Sequence, residues 1–529
     1  MPLSEKFQYL ALKILLTILS ITFSIFAVHA TADEKFQIRE IQKSLNFLGY
    51  NAGSPDGLSG PTTKNAIESF VSTLKDFDDI DLMKNLSNVL RDETSPAEVK
   101  FLSSGQTEEF VLKLQSLKGL NRYLYPVDLN NDGVHELIIA GFESQSQKHT
   151  DLVGAKVGIF EWKDSRLVLA TDNWLNSDDQ IFMGVGDIVT GDFNGDGLID
   201  LFLSAYTDSD TSVNAYVLYN EGDSFRRAII DVGNWQHGAT SDDLDGDGFS
   251  DVFASGYHKS DALYLGSKEG LKKYTWRGSD YTGGSGAAFG RYLSDDGVQI
   301  VLVDNARHTE APEMDTNLYS IIVNKQDKTA RFKKIASLPV PIFERREWDS
   351  AFTKRSDRSH EVRARSIDFD ADGLLDVLVF STSIPGTTSS NGRHSLIQFL
   401  KNMGGGVFED VTDEKLIGFN FNTNPAYAPV LRDLDGDGDI DIFLSEHDYD
   451  GEADSTDIML QNSQGQYISV GSKKFSEAFP PSAGEDIATI LKGPGGREYF
   501  VRHTQTKRGY GGKDILKYYE LQLIPRNTQ

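Results

Sequence analysis

Five nine-residue stretches carry most of the chemistry legible in this chain: "DLNNDGVHE" (128–136), "DFNGDGLID" (192–200), "DLDGDGFSD" (243–251), "DFDADGLLD" (368–376) and "DLDGDGDID" (433–441). Each places an oxygen-bearing side chain at positions 1, 3, 5 and 9 and a glycine at position 6. Hard oxygens at that alternation converge on one divalent cation. A backbone carbonyl at position 7 can join them, and the glycine permits the sharp turn. The pattern is that of a calcium loop, repeated five times. It is not the helical EF-hand version, which closes with a glutamate at position 12. Here position 12 is Ile139, Leu203, Ala254, Val379 or Leu444, and the closing carboxylate stands at position 9.

The elements that must hold these loops are strands. Behind the closing carboxylates run "LFLSAY", "VFASGY", "VLVFS" and "IFLSE", short apolar runs of strand character. A loop that leaves one strand and enters another, recurring along the chain, is an internal repeat. With its flanking strands it resembles the FG-GAP/VCBS repeats of integrin-type β-propellers over about residues 120–525. "YVLYNEGDSF" (216–225) and "QFLKNMGGGVFEDVT" (398–412) are similar to the outer hairpin of those repeats.

The resemblance implies calcium bound by Asp128, Asn130, Asp132 and Glu136; by Asp192, Asn194, Asp196 and Asp200; and by Asp243, Asp245, Asp247 and Asp251. The last two sets are Asp368, Asp370, Asp372 and Asp376, and Asp433, Asp435, Asp437 and Asp441. Two further segments keep the strand–turn–strand outline without a ligand set and read as metal-free blades. "YLSDDGVQIVLVDN" (292–305) puts Tyr292, Ser294 and Ile300 at ligand positions, and "ILKGPGGREYFVRH" (490–503) lacks the acidic alternation. The expected fold is therefore mainly β: a seven-bladed β-propeller over 100–525, closed by "KFLSS" (100–104) or "EFVLKLQ" (109–115) as the missing outer strand.

Ahead of it, "IREIQKSLNFLGYNAGSPDGLSGPTTKNAIESFV" (38–71) puts Ile38, Ile41, Leu45 and Leu48 on one helical face, then a glycine-rich turn, then a helix opened by Pro61. Leu48, Gly49, Tyr50, Asp56, Gly57, Gly60, Pro61 and Thr63 resemble the marks of the peptidoglycan-binding-like domain, a small helical module here spanning 34–74. Residues 75–99 read as an acidic helical connector and linker, with Leu82, Leu86 and Leu90 on one stripe.

The first thirty residues form a signal peptide: Lys6 and Lys13, an apolar run, then small Val28 and Ala30 before a polar stretch. The same run retained as an N-terminal anchor is the alternative. Either way the chain is expected outside the cytoplasm, in the periplasm, on the cell surface or secreted, without a membrane span once the signal is cleaved. No cysteine is present, so disulfides do not hold the fold. Loss of the signal takes the net charge from −27 to −28, which excludes nucleic acid as a partner and suits a collector of cations.

In the propeller reading, the connections opposite the acidic loops carry Trp174, Trp235, His237, Tyr257, His258, His308, Trp348, His394, His447, Tyr449 and His503, with Arg363 nearby. Aromatic planes and guanidinium forks suit sugars and acidic polysaccharides. The expected function is a binding protein recognising peptidoglycan, another glycan or a surface protein. The alternative is a polysaccharide lyase or other carbohydrate-active enzyme drawing a base from those histidines and tyrosines. No nucleophile elbow, P-loop, H-E-x-x-H or dinucleotide motif occurs, and no catalytic residue is assigned.

Overall fold

Each of the five closing carboxylates is the first residue of a strand: Glu136–Glu143, Asp200–Ala205, Asp251–Gly256, Asp376–Ser383 and Asp441–Leu444. These strands are apolar runs rather than alternations because both of their faces are covered; Asp200–Ala205 and Asp251–Gly256 are buried at every residue. The computed structural model describes residues 32–73, 86, 90, 95–112, 120–143, 154–206, 212–233, 236–256, 261–276, 286–293, 297–303, 316–339, 359–383, 394–417, 429–444, 457–470, 487–505 and 513–525.

The chain is mainly β and its sheets form a propeller-like arrangement. Sheet I comprises Leu120–Val127, Glu136–Glu143, Gly158–Lys163 and Arg166–Leu169; sheet II comprises Val185–Gly191, Asp200–Ala205, Val213–Asn220 and Phe225–Gly233. Sheet III has eight strands, from Gln236–Asp242 to Thr329–Leu338. The strand pairing between its two antiparallel halves is a short parallel one of Thr275 and Trp276 with Thr329 and Ala330. Sheet IV runs from Ser359–Ile367 to Phe408–Asp410, and sheet V from Val430–Arg432 to Tyr467–Ser469 with Leu416–Ile417 added at its edge. Sheet VI comprises Ile487–Lys492, Glu498–Gln505 and Asp514–Pro525, and takes Ala97–Gln106 as its outer strand.

Hydrophobic clusters fill the gaps between consecutive sheets. One joins VI, I and II, and others join II to III, the two halves of III, III to IV, IV to V, and V to VI. The series returns to its start, so the sheets form a closed ring. The N-terminal strand seals it, pairing antiparallel from Ala97↔Pro525 to Gln106↔Lys517. This strand contains "KFLSS" and begins at Ala97, inside the stretch expected as linker.

The first strands of the sheets line the middle of the ring, where one polar group crosses it. Asp187 of sheet II is wholly buried; it accepts from Tyr125 Oη of sheet I at 3.1 Å and from Ala239 N of sheet III at 3.0 Å. Arg363 and Arg365 of sheet IV lie 3.7 and 3.8 Å from the same carboxylate, and Arg363 donates to Gly186 O at 3.3 Å. Sheets II and IV are separated around the ring by all of sheet III, so this ion pair spans the hub. Arg363, expected in a connection on the face opposite the acidic loops, is buried in the innermost strand.

Helix α1 (Ala32–Phe47) and helix α2 (Pro61–Val71) precede the ring. Ile38, Ile41 and Leu45 pack on Ala66, Ile67, Phe70 and Val71, with Leu86 and Leu90 in the same cluster. The turn between the helices is folded around buried Gln42, which donates to Thr63 Oγ1 at 3.0 Å and accepts from Gly57 N at 2.9 Å. Arg39 and Lys43 of α1 reach Asp413 of sheet IV's outer connection at 3.4 and 3.2 Å. No helix among the described residues is long and apolar enough to cross a membrane; the segment read as a signal lies outside them.

Removing the hub carboxylate breaks its buried contacts to Arg363, Arg365, Tyr125 and Ala239 at once. Asp187→Ala should therefore cost about 3–5 kcal/mol of stability in a denaturant titration.

Candidate metal centres

The five acidic loops share one geometry. The residue before each loop pairs with its closing carboxylate: Val127↔Glu136, Gly191↔Asp200, Asp242↔Asp251, Ile367↔Asp376 and Arg432↔Asp441. The position-1 aspartate accepts from the position-6 amide, as in Gly133 N to Asp128 at 2.9 Å and Gly197 N to Asp192 at 2.8 Å. The position-5 aspartate accepts from the amide two residues on, as in Val134 N to Asp132 at 2.8 Å. Two residues per loop take the left-handed backbone. Glycine holds position 6 in every loop, but position 4 is filled by Asn131 (φ 58°) and Ala371 (φ 56°) in two of them.

The closing carboxylate has one oxygen engaged within every loop and, in four of them, the other engaged as well. One accepts from the position-2 amide: Leu129 N to Glu136 at 2.8 Å, Phe193 N to Asp200 at 3.0 Å, and likewise Leu244, Phe369 and Leu434. In four sheets the other accepts from the amide at the end of the third strand: Asn220 to Asp200, Gly266 to Asp251, Asn402 to Asp376 and Gln461 to Asp441, at 2.8–3.0 Å.

Three of those third-strand residues also reach backwards. Asn220 Nδ2 donates to Leu129 O at 2.9 Å, Asn402 Nδ2 to Tyr292 O at 3.0 Å and Gln461 Nε2 to Phe369 O at 2.6 Å. Each acceptor is the position-2 carbonyl of the preceding sheet's loop, so one side-chain amide laces neighbouring loops together. Sequence reasoning missed these residues, although the pattern Asn-x-Gly recurs in "YNEG" and "KNMG".

Burial pushes the closing carboxyls up to about 7 at Glu136, Asp200, Asp251, Asp376 and Asp441, and Asp435 to about 6. In three loops, carboxylate oxygens from positions 1, 3 and 9 lie within 4.8 Å of one another: Asp243, Asp245 and Asp251; Asp368, Asp370 and Asp376; Asp433, Asp435 and Asp441. That spread is twice a calcium–oxygen bond of about 2.4 Å. Asp245 Oδ1 and Asp370 Oδ1 are buried and accept no hydrogen bond, which is the state of a ligand atom aimed at a cation. The donor set of hard oxygens fits such an ion. Asn130 and Asn194 put a neutral oxygen at position 3 of the other two loops.

Two lysines stand against these ligands. Lys325 Nζ lies 2.9 Å from Asp245 and 2.6 Å from Asp247. Lys401 Nζ bridges Asp370 and Asp372, the latter at 3.0 Å. These contacts hold both ammonium groups above their ordinary range.

Of the two loops read as lacking a ligand set, the first is shifted by one residue from the sequence alignment. Gly290 pairs with Gln299, so Arg291, Leu293 and Gln299 occupy positions 1, 3 and 9, not Tyr292, Ser294 and Ile300. Gln299 Oε1 accepts from Tyr292 N at 2.9 Å, a neutral stand-in for the closing carboxylate. In the second, Lys492 pairs with Glu498 across a shorter turn. Glu498 retains a carboxylate at the strand entry and bonds to the Arg432 guanidinium. Beside it, neutral His135 accepts from Lys492 N at 3.1 Å, its pKa lowered to about 4 by burial and by Arg432.

Among the candidates for a ligand face, Trp174 and His503 are buried. Trp174 closes a short helix, stacks near Phe225 at 5.0 Å and donates to Glu161. His503 is bonded to Asp514 at 3.0 Å inside sheet VI. Both pack between strands rather than presenting to a ligand. Trp235, Tyr257, His258, His308, Trp348, His447 and Tyr449 lie outside the described residues, as do the side chains of His237 and His394.

Fold and loops together define a β-propeller-like protein braced by acidic strand-entry loops. Residues 192–254 and 368–444, which contain four of the five loops, match the family described as FG-GAP-like repeat. Residues 36–70 match the family described as "Putative peptidoglycan binding domain". No curated protein matches the chain. A chain in a cryo-EM structure of RAG in complex with one melted and one unmelted RSS is similar at 9% identity, covering 78% of this chain and 99% of that one. The TM-score is 0.36.

The raised closing carboxyls fix a pH dependence. The folded chain holds protons that the unfolded chain releases near its ordinary values of 3.8 and 4.5. With a chelator present, the stability from these groups is whole below about pH 4 and declines as pH rises to about 7. A melting temperature that climbs across that window in chelator would refute the assignment. Relief of the left-handed alanine gives a second check: Ala371→Gly should stabilise by about 0.5–1 kcal/mol.

Proposed function

We propose that the protein is an exported, calcium-braced β-propeller binding protein that recognises cell-wall peptidoglycan or a related glycan. The observation that carries this reading is the union in one chain of a peptidoglycan-binding match at 36–70 with a closed ring whose acidic loops have cation-ready oxygens. With sheet III taken as two blades joined edge to edge, the ring has seven blades, five entered through calcium loops. Residues 34–74 form a small helical domain held beside the ring by Arg39 and Lys43 on Asp413. The segment 1–30 exports the chain.

Calcium in this reading neutralises clustered carboxylates and does no chemistry on a substrate. Extracellular calcium modules bind at about 10⁻⁴–10⁻³ M, which suits loops that fill outside the cytoplasm. The ligand-contacting surface is the one opposite the loops, with Trp235, Trp348 and the histidine-rich connections as its side chains.

In millimolar calcium the melting temperature should exceed that in chelator by on the order of 5–10 °C; equal melts would remove calcium from the reading. Sedimentation with peptidoglycan sacculi tests the glycan, and loss of binding on deleting residues 34–74 would place it on the helical domain. Acidic polysaccharides in the same incubation, followed by ultraviolet absorbance of unsaturated sugar, distinguish a lyase, whose appearance would overturn a binding role.

A further inference from the structure

The five acidic loops are not equivalent, because two of them already hold a cation supplied by the chain. Lys325 sits in the turn between Thr316–Asn324 and Thr329–Leu338, in the far half of sheet III, and crosses to the loop at 243–251 in the near half. Lys401 is the penultimate residue of His394–Asn402 and folds onto the loop of its own sheet at 368–376. Each ammonium bridges the Oδ2 atoms of the aspartates at positions 3 and 5, beside the unbonded Oδ1 atoms of Asp245 and Asp370. Lys415 adds a longer contact of 4.0 Å to Asp370. Among the described residues, no ammonium or guanidinium group lies within ion-pair distance of the ligands at 128–136, 192–200 or 433–441.

Resting on the calcium reading, we infer that Lys325 and Lys401 are internal competitors for calcium, dividing the five loops into three tight sites and two weak, salt-sensitive ones. A calcium ion drawn to the free Oδ1 atoms meets an ammonium on Oδ2 of the same carboxylates, so like-charge repulsion opposes loading until the ammonium swings away. Both lysines are placed to do so. Lys325 is 54% exposed, and its stem runs from a surface turn; Lys401 is 25% exposed. Exposed ion pairs are individually weak, so they lower the metal's affinity without abolishing it. The two lysine-held loops also bracket the loop in which Arg291, Leu293 and Gln299 replace the ligands. The arc formed by sheets III and IV is thus the part of the ring that keeps its acidic loops compensated when calcium is scarce.

The test is calorimetric titration of the stripped, purified protein with calcium chloride, beside Lys325→Met and Lys401→Met. The wild type should show three tight and two weak sites. Each variant should move one weak site to roughly two- to thirtyfold higher affinity, the worth of two surface ion pairs. The same variants should melt lower than wild type in chelator and no lower in saturating calcium, an inversion that a merely damaged fold would not produce. Five equal sites with unchanged variants would overturn the competitor role while leaving calcium in place. No calcium uptake by any of the three proteins would overturn both readings.

Discussion

Asp200, Asp251, Asp376 and Asp441 are fully buried at the entry to a second strand, each gripping the loop's position-2 amide and the amide that ends the third strand. With an oxygen for each amide, one short side chain ties the loop to the third strand. The bonds set the loop's shape and its width, and hence the register of the first three strands of each sheet. The same choice places a negative charge in a low-dielectric site, where it needs a proton, a metal or a fixed cation. Much of the surrounding sequence reads as an answer to that demand. The outer aspartates gather hard oxygens for an ion, Lys325 and Lys401 provide an ammonium, Arg432 pairs with Glu498, and Gln299 removes the charge altogether while keeping the acceptor.

The side-chain amides of Asn220, Asn402 and Gln461 carry this local solution around the ring. Each ties its own sheet's third strand to the preceding sheet's loop, so the ordering of one loop is felt by the next. At the centre, the ion pair of Asp187 with Arg363 and Arg365 does the same across the diameter. Apolar clusters between the sheets supply most of the cohesion. These polar ties supply angular register, which non-directional burial cannot.

The loops, the strands behind them and the wheel-like plan were legible because the acidic alternation within each nine-residue loop and the apolar strand runs survive without tertiary information. Leu86 and Leu90 were legible as a buried stripe for the same reason. What escaped depended on contacts distant in sequence. Tyr292 resembled a ligand position until Gly290 was seen paired with Gln299, a one-residue slip that spacing alone cannot detect where the ligands are gone. Arg363, Trp174 and His503 were grouped by residue type on one face, whereas burial against partners from other strands decides their place. The lysines that counter two loops are invisible to motif reading, since they lie 78 and 31 residues from the aspartates they bond.

The seal between Ala97–Gln106 and Asp514–Pro525 joins the two ends of the ring's sequence. During synthesis, the first of these strands emerges with its partner still to be made, and the wheel cannot shut until Asp514–Pro525 is available. Until then Ala97–Gln106 and the outer edge of sheet VI both stand unpaired, so a product truncated before Asp514 has no native way to cover them. α1 and α2 precede the sealing strand in sequence, so once the contacts of Arg39 and Lys43 to Asp413 give way, force applied through the helices falls on this seam. A tether there would load the wheel at its single non-covalent clasp rather than at any covalently continuous sheet.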